Sequence, residues 1–196
     1  MTIFHSSNLF ISLKNFIYFS SCSPAAFTPV CTTELGQVAL LEKKFHDRNC
    51  VVAGLSVDTV AANTDWIKDI NEYSNCNLTF PIICDEDYKV SLAYGMLNQD
   101  HVANGKVLTA RTVFFIGPDK KLRASLTYPA SSGRNFDEIL RLLDSLQLTE
   151  KSQVATPANW SKGDKVVVIP SVSTEEAKEK YKDLEVVKPY LRLTKP

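Results

Sequence analysis

The spacing of apolar and polar positions along the first half of the chain predicts helices that alternate with strands. Apolar residues recur at near-helical spacing over residues 35–45, with charged residues between them. Residues 50–58 form a nearly continuous apolar run, which is typical of a strand buried on both faces. An amphipathic second helix is predicted over residues 60–73, a short strand over 80–83 and a short helix over 88–96.

The second half of the chain predicts a hairpin and a long helix. An apolar strand over residues 109–116 is followed by turn residues at 117–121 and by an alternating strand over 122–128. Residues 135–148 give the strongest helical pattern, with Asn135 placed to cap it. Strands that alternate with helices, followed by a hairpin and a helix, predict an α/β sandwich of thioredoxin type.

The remaining residues divide into two smaller segments around this predicted domain of residues 23–149. Residues 1–22 form an atypical N-terminal segment, and residues 150–196 a small C-terminal extension with a short strand at 165–169 and a helix that Ser173 caps. The extension has too little apolar content to fold alone, so we expect it to dock on the first domain or on a partner subunit.

One cysteine stands out because of its place in the first predicted helix. In Phe27-Thr-Pro-Val-Cys-Thr-Thr-Glu34 the thiol of Cys31 falls in the predicted first turn, shortly after a proline. Thr32 or Thr33 together with Glu34 resembles a helix start with an acid in its first turn. Free backbone N–H groups and the positive end of the helix dipole would then face Cys31, and such a setting favours a reactive thiolate.

Composition and charge exclude several other functions. The 196 residues carry 22 basic and 22 acidic side chains, so the net charge gives no reason to expect nucleic-acid binding. The five cysteines form no C-x-x-C pair and the three histidines lie far apart, so we expect no metal site. The odd cysteine count fits reduced thiols in the cytoplasm. The N-terminal segment lacks the charged start of a signal peptide, and its apolar runs are too short to span a membrane.

Several separate motifs carry a resemblance to a known family. The sequence around Cys31, Thr109-Ala-Arg111, Gly117-Pro-Asp-Lys-Lys121 and residues 128–139 and 154–160 are together similar to the one-cysteine peroxiredoxins of the peroxiredoxin 6-like subgroup. The match covers about residues 23–196. It implies a thiol-dependent peroxidase without a cofactor, which reduces hydrogen peroxide and organic hydroperoxides. It also implies a homodimer with the C-terminal extension in the subunit contact.

The resemblance also assigns roles to individual residues. Cys31 resembles the peroxidatic nucleophile, Thr28 the hydroxyl that hydrogen-bonds the peroxide, and Arg111 the guanidinium that holds both thiolate and peroxide. Arg111 lies inside an apolar strand, where a charged residue needs a partner. The resemblance further places in the substrate pocket Pro29, which would shield the thiolate, Val30, and a second arginine, Arg134.

Simple energetics indicate that the helix terminus alone is insufficient. A thiol with a pKa of about 8.5 is only about 3% thiolate at pH 7, and lowering a pKa by about two units needs about 2.7 kcal/mol. A helix terminus supplies about 0.3–1 kcal/mol, so a cation must supply most of the rest. The sulfenic acid product then needs a second thiol. No cysteine follows Cys84 in the sequence, so we expect an external reductant, glutathione, which a glutathione transferase can deliver in this family.

The segment before the catalytic motif departs from the family pattern and leaves alternatives open. Fewer residues precede the motif than usual, and Ser23-Pro24 stands where the family has His-Pro, although residues 18–22 could replace part of the first core strand. One alternative is a non-catalytic thioredoxin-fold dimerisation partner or an incomplete fragment. Another is a calcium-independent phospholipase A2, for which Asp119 matches the family's aspartate but the serine and histidine belong to the unmatched segment.

Overall fold

The computed structural model describes residues 16–23, 26–103 and 106–195. The chain divides into two compact units between Phe136 and Asp137. The helices and strands of the first unit are, in chain order, β1 (Phe16–Ser23), α1 (Pro29–His46), β2 (Cys50–Ser56), α2 (Val60–Ser74), β3 (Ile82–Cys84), α3 (Lys89–Ala93), β4 (Leu97–Ala103), β5 (Lys106–Thr109), β6 (Arg111–Ile116) and β7 (Leu122–Tyr128).

The core of the first unit is a five-stranded sheet in the order β3-β2-β1-β6-β7. The first three of these strands run parallel, whereas β6 is antiparallel to both β1 and β7. The predicted hairpin is confirmed, with a turn in which the backbone N–H of Gly117 donates to the carbonyl of Lys121 at 2.8 Å. Such a mixed sheet together with helices is the predicted α/β class.

The central strand comes from the segment whose sequence departs from the family pattern. β1 pairs along its length with β2, from Phe16 opposite Cys50 to Ser23 opposite Ser56, and it also pairs with β6. The suggestion that residues 18–22 replace part of the first core strand is therefore confirmed. Pro24 and residues 1–15 lie outside the described residues. Because α1 follows β1 after a short connection, this strand determines where α1 begins.

The first helix begins earlier than the sequence pattern indicated. Its N-cap is Thr28 and Pro29 occupies the first helical position, where a missing N–H costs nothing. The predicted start at Thr32 or Thr33 is wrong, because both hydroxyls donate to carbonyls of the preceding turn inside the helix. Glu34 consequently lies in the second turn and is buried instead of capping the helix.

Other elements follow the predictions with shifted ends. α2 begins after Thr59, whose hydroxyl accepts the N–H of Ala62 at 3.1 Å. β3 starts two residues later than predicted. α3 starts one residue later, where Asp85 accepts hydrogen bonds from the N–H groups of Val90 and Ser91, and it ends three residues earlier than predicted. The β4–β5 hairpin was not predicted.

The second unit contains α4 (Phe136–Lys151), which extends three residues beyond the predicted end, and a four-stranded sheet. The sheet has the order β10-β11-β9-β8, and this unit's remaining elements are β8 (Val154–Ala155), β9 (Val166–Val168), α5 (Thr174–Lys180), β10 (Glu185–Lys188) and β11 (Leu191–Thr194). The hydroxyl of Ser173 caps α5 as predicted. The predicted boundary after residue 149 falls inside α4, whereas the compact units divide thirteen residues earlier. No helix within the described ranges has the length and apolar character needed to cross a membrane.

A close approach at Gly36 joins α1 to α2 in the first unit. A Cβ atom built at Gly36 would lie 1.8 Å from Oγ and 2.6 Å from Cβ of Ser74, the last residue of α2. Real atoms do not approach so closely, so only glycine fits unless the helices move apart. The absence of a side chain therefore sets the spacing of the helix that carries Cys31.

We predict that Gly36→Ala lowers the free energy of unfolding by about 1–3 kcal/mol, because overpacking outweighs the better helix propensity of alanine. Urea denaturation measures this change. Ser74→Gly removes both clashing atoms. In the Ser74→Gly background, Gly36→Ala should therefore lower the free energy of unfolding much less than it does in the wild type. Equal losses in the two backgrounds would contradict the proposed contact.

Candidate active site

Cys31 is the third residue of α1 and its side chain is completely buried. The first turn closes through a hydrogen bond from the N–H of Thr32 to the carbonyl of Thr28 at 3.0 Å. Cys31 forms no disulfide, and the same holds for the other cysteines whose side chains are described, Cys50, Cys76 and Cys84. The prediction that Cys31 lies in the first turn of a helix is confirmed.

Arg111 opens β6 and brings its guanidinium to the sulfur across 80 residues of sequence. Its Nη1 lies 3.4 Å from Sγ of Cys31, and its Nη2 donates to the carbonyl of Ala130 at 2.9 Å. Burial works against the charge of this side chain, but the nearby negative charges of Cys31 and Glu34 outweigh burial, so the pKa of Arg111 is raised above its usual value. Arg111 therefore remains a cation beside the sulfur.

Glu34 connects this arginine to a second one. Its carboxylate accepts Nη1 of Arg111 at 2.5 Å, Nη2 of Arg134 at 2.6 Å and the backbone N–H of Arg134 at 2.7 Å. All three residues are more than nine-tenths buried. Sequence analysis treated Glu34 only as a helix-start acid. Glu34 lies three residues after Cys31, on the apolar side of α1. This spacing was the signal that could have identified Glu34 as part of the site.

Cys31, Glu34, Arg111 and Arg134 together form what we call the Glu34 cluster. The carboxylate of Glu34 binds both guanidiniums, and the guanidinium of Arg111 also lies against the sulfur of Cys31. The cluster therefore fixes a buried cation beside the sulfur.

The other predicted site residues lie at the start of α1. Thr28 is half-buried, Pro29 is exposed, and Val30 is half-buried, with its Cγ1 3.7 Å from a Cβ atom built at Gly133. Thr28 and Pro29 also line an open cleft between the start of α1 and one face of α2. The other residues that line this cleft are Phe27, Thr32, Thr33, Trp66, Asp69 and Tyr73.

The remaining described cysteines lie in settings that do not activate a thiol. Cys50 is buried at the start of β2. Burial raises the pKa of the half-buried Cys76 thiol. Burial also raises the pKa of Cys84, although a hydrogen bond from Asn63 at 3.3 Å opposes this increase. The thiols of Cys76 and Cys84 therefore remain protonated over a wider pH range than a free cysteine does.

Two family models match the chain. The model of the AhpC/TSA family matches residues 15–125, and the model of the C-terminal domain of 1-Cys peroxiredoxin matches residues 145–184. The chain is 50% identical to the 1-Cys peroxiredoxin of Dictyostelium discoideum over 172 residues, which cover 87% of this chain and 70% of that protein. It is also 50% identical to peroxiredoxin-6 of Gallus gallus, with 87% of this chain and 81% of that protein covered.

The chain belongs to the AhpC/TSA family and is a 1-Cys peroxiredoxin. Peroxiredoxins are thiol peroxidases, so the chain is an oxidoreductase that acts on peroxide. Solved structures agree with this assignment and confirm the predicted thioredoxin-like fold. Peroxiredoxin 6 of Arenicola marina superposes with a TM-score of 0.88 at 45% identity, over 93% of this chain and 86% of that one.

A second solved structure is that of the yeast mitochondrial 1-Cys peroxiredoxin. It matches with a TM-score of 0.87 at 44% identity and covers 93% of this chain and 87% of that one. For that protein, the structural work concerns a thiol resolving mechanism via the glutathione and thioredoxin systems.

We predict that Glu34→Gln destabilises the peroxiredoxin by about 3–5 kcal/mol, because it leaves two buried guanidiniums without their shared anion. Chemical denaturation measures the loss. Glu138→Gln is the matched control, since Glu138 pairs with Arg141 at 2.5 Å on a half-exposed surface. This variant should lower the free energy of unfolding by less than about 1 kcal/mol. Equal losses of stability in the two variants would contradict the prediction that breaking the buried ion pairs of the Glu34 cluster costs more than breaking a half-exposed pair.

We also predict a pH dependence for alkylation of Cys76 and Cys84. Because burial raises the pKa of both thiols, the thiolate fraction at a given pH is lower than in a free cysteine, and reaction with iodoacetamide should rise at a higher pH than it does for a free cysteine. Pulse alkylation of the folded protein between pH 6 and 10, followed by peptide mass mapping, measures this. Labelling of either thiol with a midpoint below that of free cysteine would refute the prediction.

Proposed function

We propose that Cys31 is the nucleophile of this peroxidase, that Thr28 and Arg111 assist it, and that an external thiol restores it. The substrates in this proposal are hydrogen peroxide and organic hydroperoxides. The observation that carries the proposal is the distance of 3.4 Å between Nη1 of Arg111 and Sγ of Cys31, made between buried side chains from different elements.

In the first proposed step, the thiolate sulfur of Cys31 attacks the terminal oxygen of the hydroperoxide. A sulfur–oxygen bond forms and the oxygen–oxygen bond breaks, so the cysteine becomes a sulfenic acid and the other oxygen leaves as an alkoxide or hydroxide that takes up a proton. Charge grows on the leaving oxygen in the transition state. The guanidinium of Arg111, the hydroxyl of Thr28 and N–H groups of the first turn of α1 are the donors suited to stabilise it.

Pro29, Val30 and Arg134 complete the proposed pocket with different roles. Pro29 and Val30 bound the approach to the sulfur at the start of α1. Arg134 binds the same carboxylate as Arg111 does. We therefore propose that Arg134 acts through Glu34, which holds Arg111 in place.

In the second proposed step, glutathione reduces the sulfenic acid. One glutathione forms a mixed disulfide with Cys31 and releases water, and a second glutathione then releases the thiol and glutathione disulfide. Two observations support an external thiol: no cysteine follows Cys84 in this sequence, and none of the cysteines whose side chains are described forms a disulfide. A glutathione transferase is the proposed donor, and the yeast relative's use of glutathione and thioredoxin systems supports this class of reductant.

We further propose a homodimer in the cytoplasm, with a role in antioxidant defence. None of the cysteines whose side chains are described forms a disulfide, which fits a reducing compartment. In the second unit, Val186, Val187 and Tyr190 expose large apolar side chains, which suits a subunit contact. The phospholipase alternative gains no support, because Asp119 forms an ion pair with Arg123 at 2.9 Å.

We predict that Cys31→Ser abolishes peroxide reduction and that Arg111→Lys slows it by about 10²–10³-fold, because lysine cannot present the same fork of donors. Competition for hydrogen peroxide against a reference peroxidase measures both rates. Cys76→Ser and Arg123→Lys are the matched controls and should retain the wild-type rate, since neither residue lies in the Glu34 cluster. Equal, slow rates for wild type and Cys31→Ser would eliminate the proposal and favour a non-catalytic partner.

A further inference from the structure

A buried tryptophan from α2 reaches the turn that carries the reacting groups. Trp66 is only 1% exposed, and its Nε1–H donates to the hydroxyl of Thr32 at 2.9 Å. That hydroxyl in turn donates to the carbonyl of Thr28 at 2.8 Å. A relay of two hydrogen bonds therefore connects α2 to the residue whose hydroxyl we assign to the peroxide.

The relay ends on the group that determines how Thr28 is oriented. The carbonyl of Thr28 also accepts the backbone N–H of Thr32 at 3.0 Å, so two donors fix its direction. Fixing this carbonyl fixes ψ of Thr28, which is extended at 139° while the next residues are helical. The Thr28 side chain leaves from the same backbone, so its direction depends on how firmly this peptide is held.

The same turn is under backbone strain immediately before Thr28. Phe27 has φ of 61°, in the left-handed region that non-glycine residues rarely adopt. Such a conformation persists only where the surroundings hold it. The carboxylate of Asp58 binds the backbone N–H of Ala26 on one side of Phe27, and the relay from Trp66 holds Thr28 on the other. Asp58 and Trp66, which both follow β2 in the sequence, therefore hold the turn on either side of Phe27.

We propose that Trp66 is a positioning residue for peroxide reduction, acting through Thr32 on Thr28. This inference rests on the proposed function, because it assumes that the Thr28 hydroxyl binds peroxide. The hydrogen bond of the Trp66 indole goes to Thr32 and not to Sγ of Cys31 or to a side chain of the Glu34 cluster. Its effect should therefore fall on the alignment of peroxide and not on the anionic state of the sulfur.

The experiment compares two reactions of the same sulfur in Trp66→Phe, which keeps an aromatic ring but loses the N–H donor. Oxidation of Cys31 by hydrogen peroxide in a single turnover requires the aligned Thr28, whereas alkylation by iodoacetamide requires only the thiolate. We expect peroxide oxidation to slow by about 3- to 10-fold, the usual worth of one hydrogen bond, with alkylation within about two-fold of wild type. The matched control is Trp160→Phe, which loses a bond of 3.3 Å to Asp164 in the second unit.

Thr32→Val provides a second, independent break in the relay and keeps the side-chain volume. Thr32→Val should slow peroxide oxidation at least as much as Trp66→Phe does. The Trp66→Phe, Thr32→Val double variant should be no slower than Thr32→Val alone, because both changes break the same hydrogen-bond relay. The peroxide rate of Thr32→Val alone remains informative if Trp66→Phe folds poorly. Circular dichroism and thermal melts select the variants that are folded.

A selective loss of the peroxide reaction in Trp66→Phe, absent in Trp160→Phe, supports the positioning role. An unchanged peroxide rate, parallel losses in both reactions, or additive losses in the double variant overturn it, because Trp66 would then act only through general stability or not at all. Failure of the proposed function is distinguishable, since wild type itself would then react with peroxide as slowly as Cys31→Ser.

Discussion

The buried carboxylate of Glu34 is the interaction on which the site depends. It joins α1 to Arg111, 77 residues away, and to Arg134, 100 residues away. Because none of these charges can reach bulk water, movement of any of the three segments would leave a buried charge unpaired. The carboxylate thus keeps the Arg111 guanidinium against the sulfur and makes the position of Cys31 a property of the whole first unit.

The sheet brings these segments together before any side chain acts. β1 runs antiparallel to β6, so the start of β6, where Arg111 lies, is next to the end of β1, from which the chain leads into α1. This arrangement requires backbone pairing and register, not a particular motif in β1. The match to the AhpC/TSA family model begins at residue 15 and includes β1, so the match begins earlier than the predicted start at about residue 23.

The sequence predicted those features that depend on local patterns. Pro29 and the periodicity after it indicated the helix that carries Cys31, and Arg111 was conspicuous as a charge within an apolar strand. Glu34 was misinterpreted because an acid near a helix start has an ordinary local explanation, and its buried role appears only when two distant arginines are brought to it. β10 was missed for another reason: all four of its residues are exposed, so it lacks the alternation that marks a strand.

The cation of the Glu34 cluster also bears on how the cysteine is restored. In the proposed cycle the sulfur of Cys31 is first oxidised to a sulfenic acid and then reduced by an external thiol. The guanidinium of Arg111 lies 3.4 Å from this sulfur, and Glu34 binds the same guanidinium from a buried position. If the proposed steps are correct, this cation would donate to the leaving oxygen in the first step and attract an incoming thiolate in the second. One fixed guanidinium would therefore serve both halves of the proposed cycle.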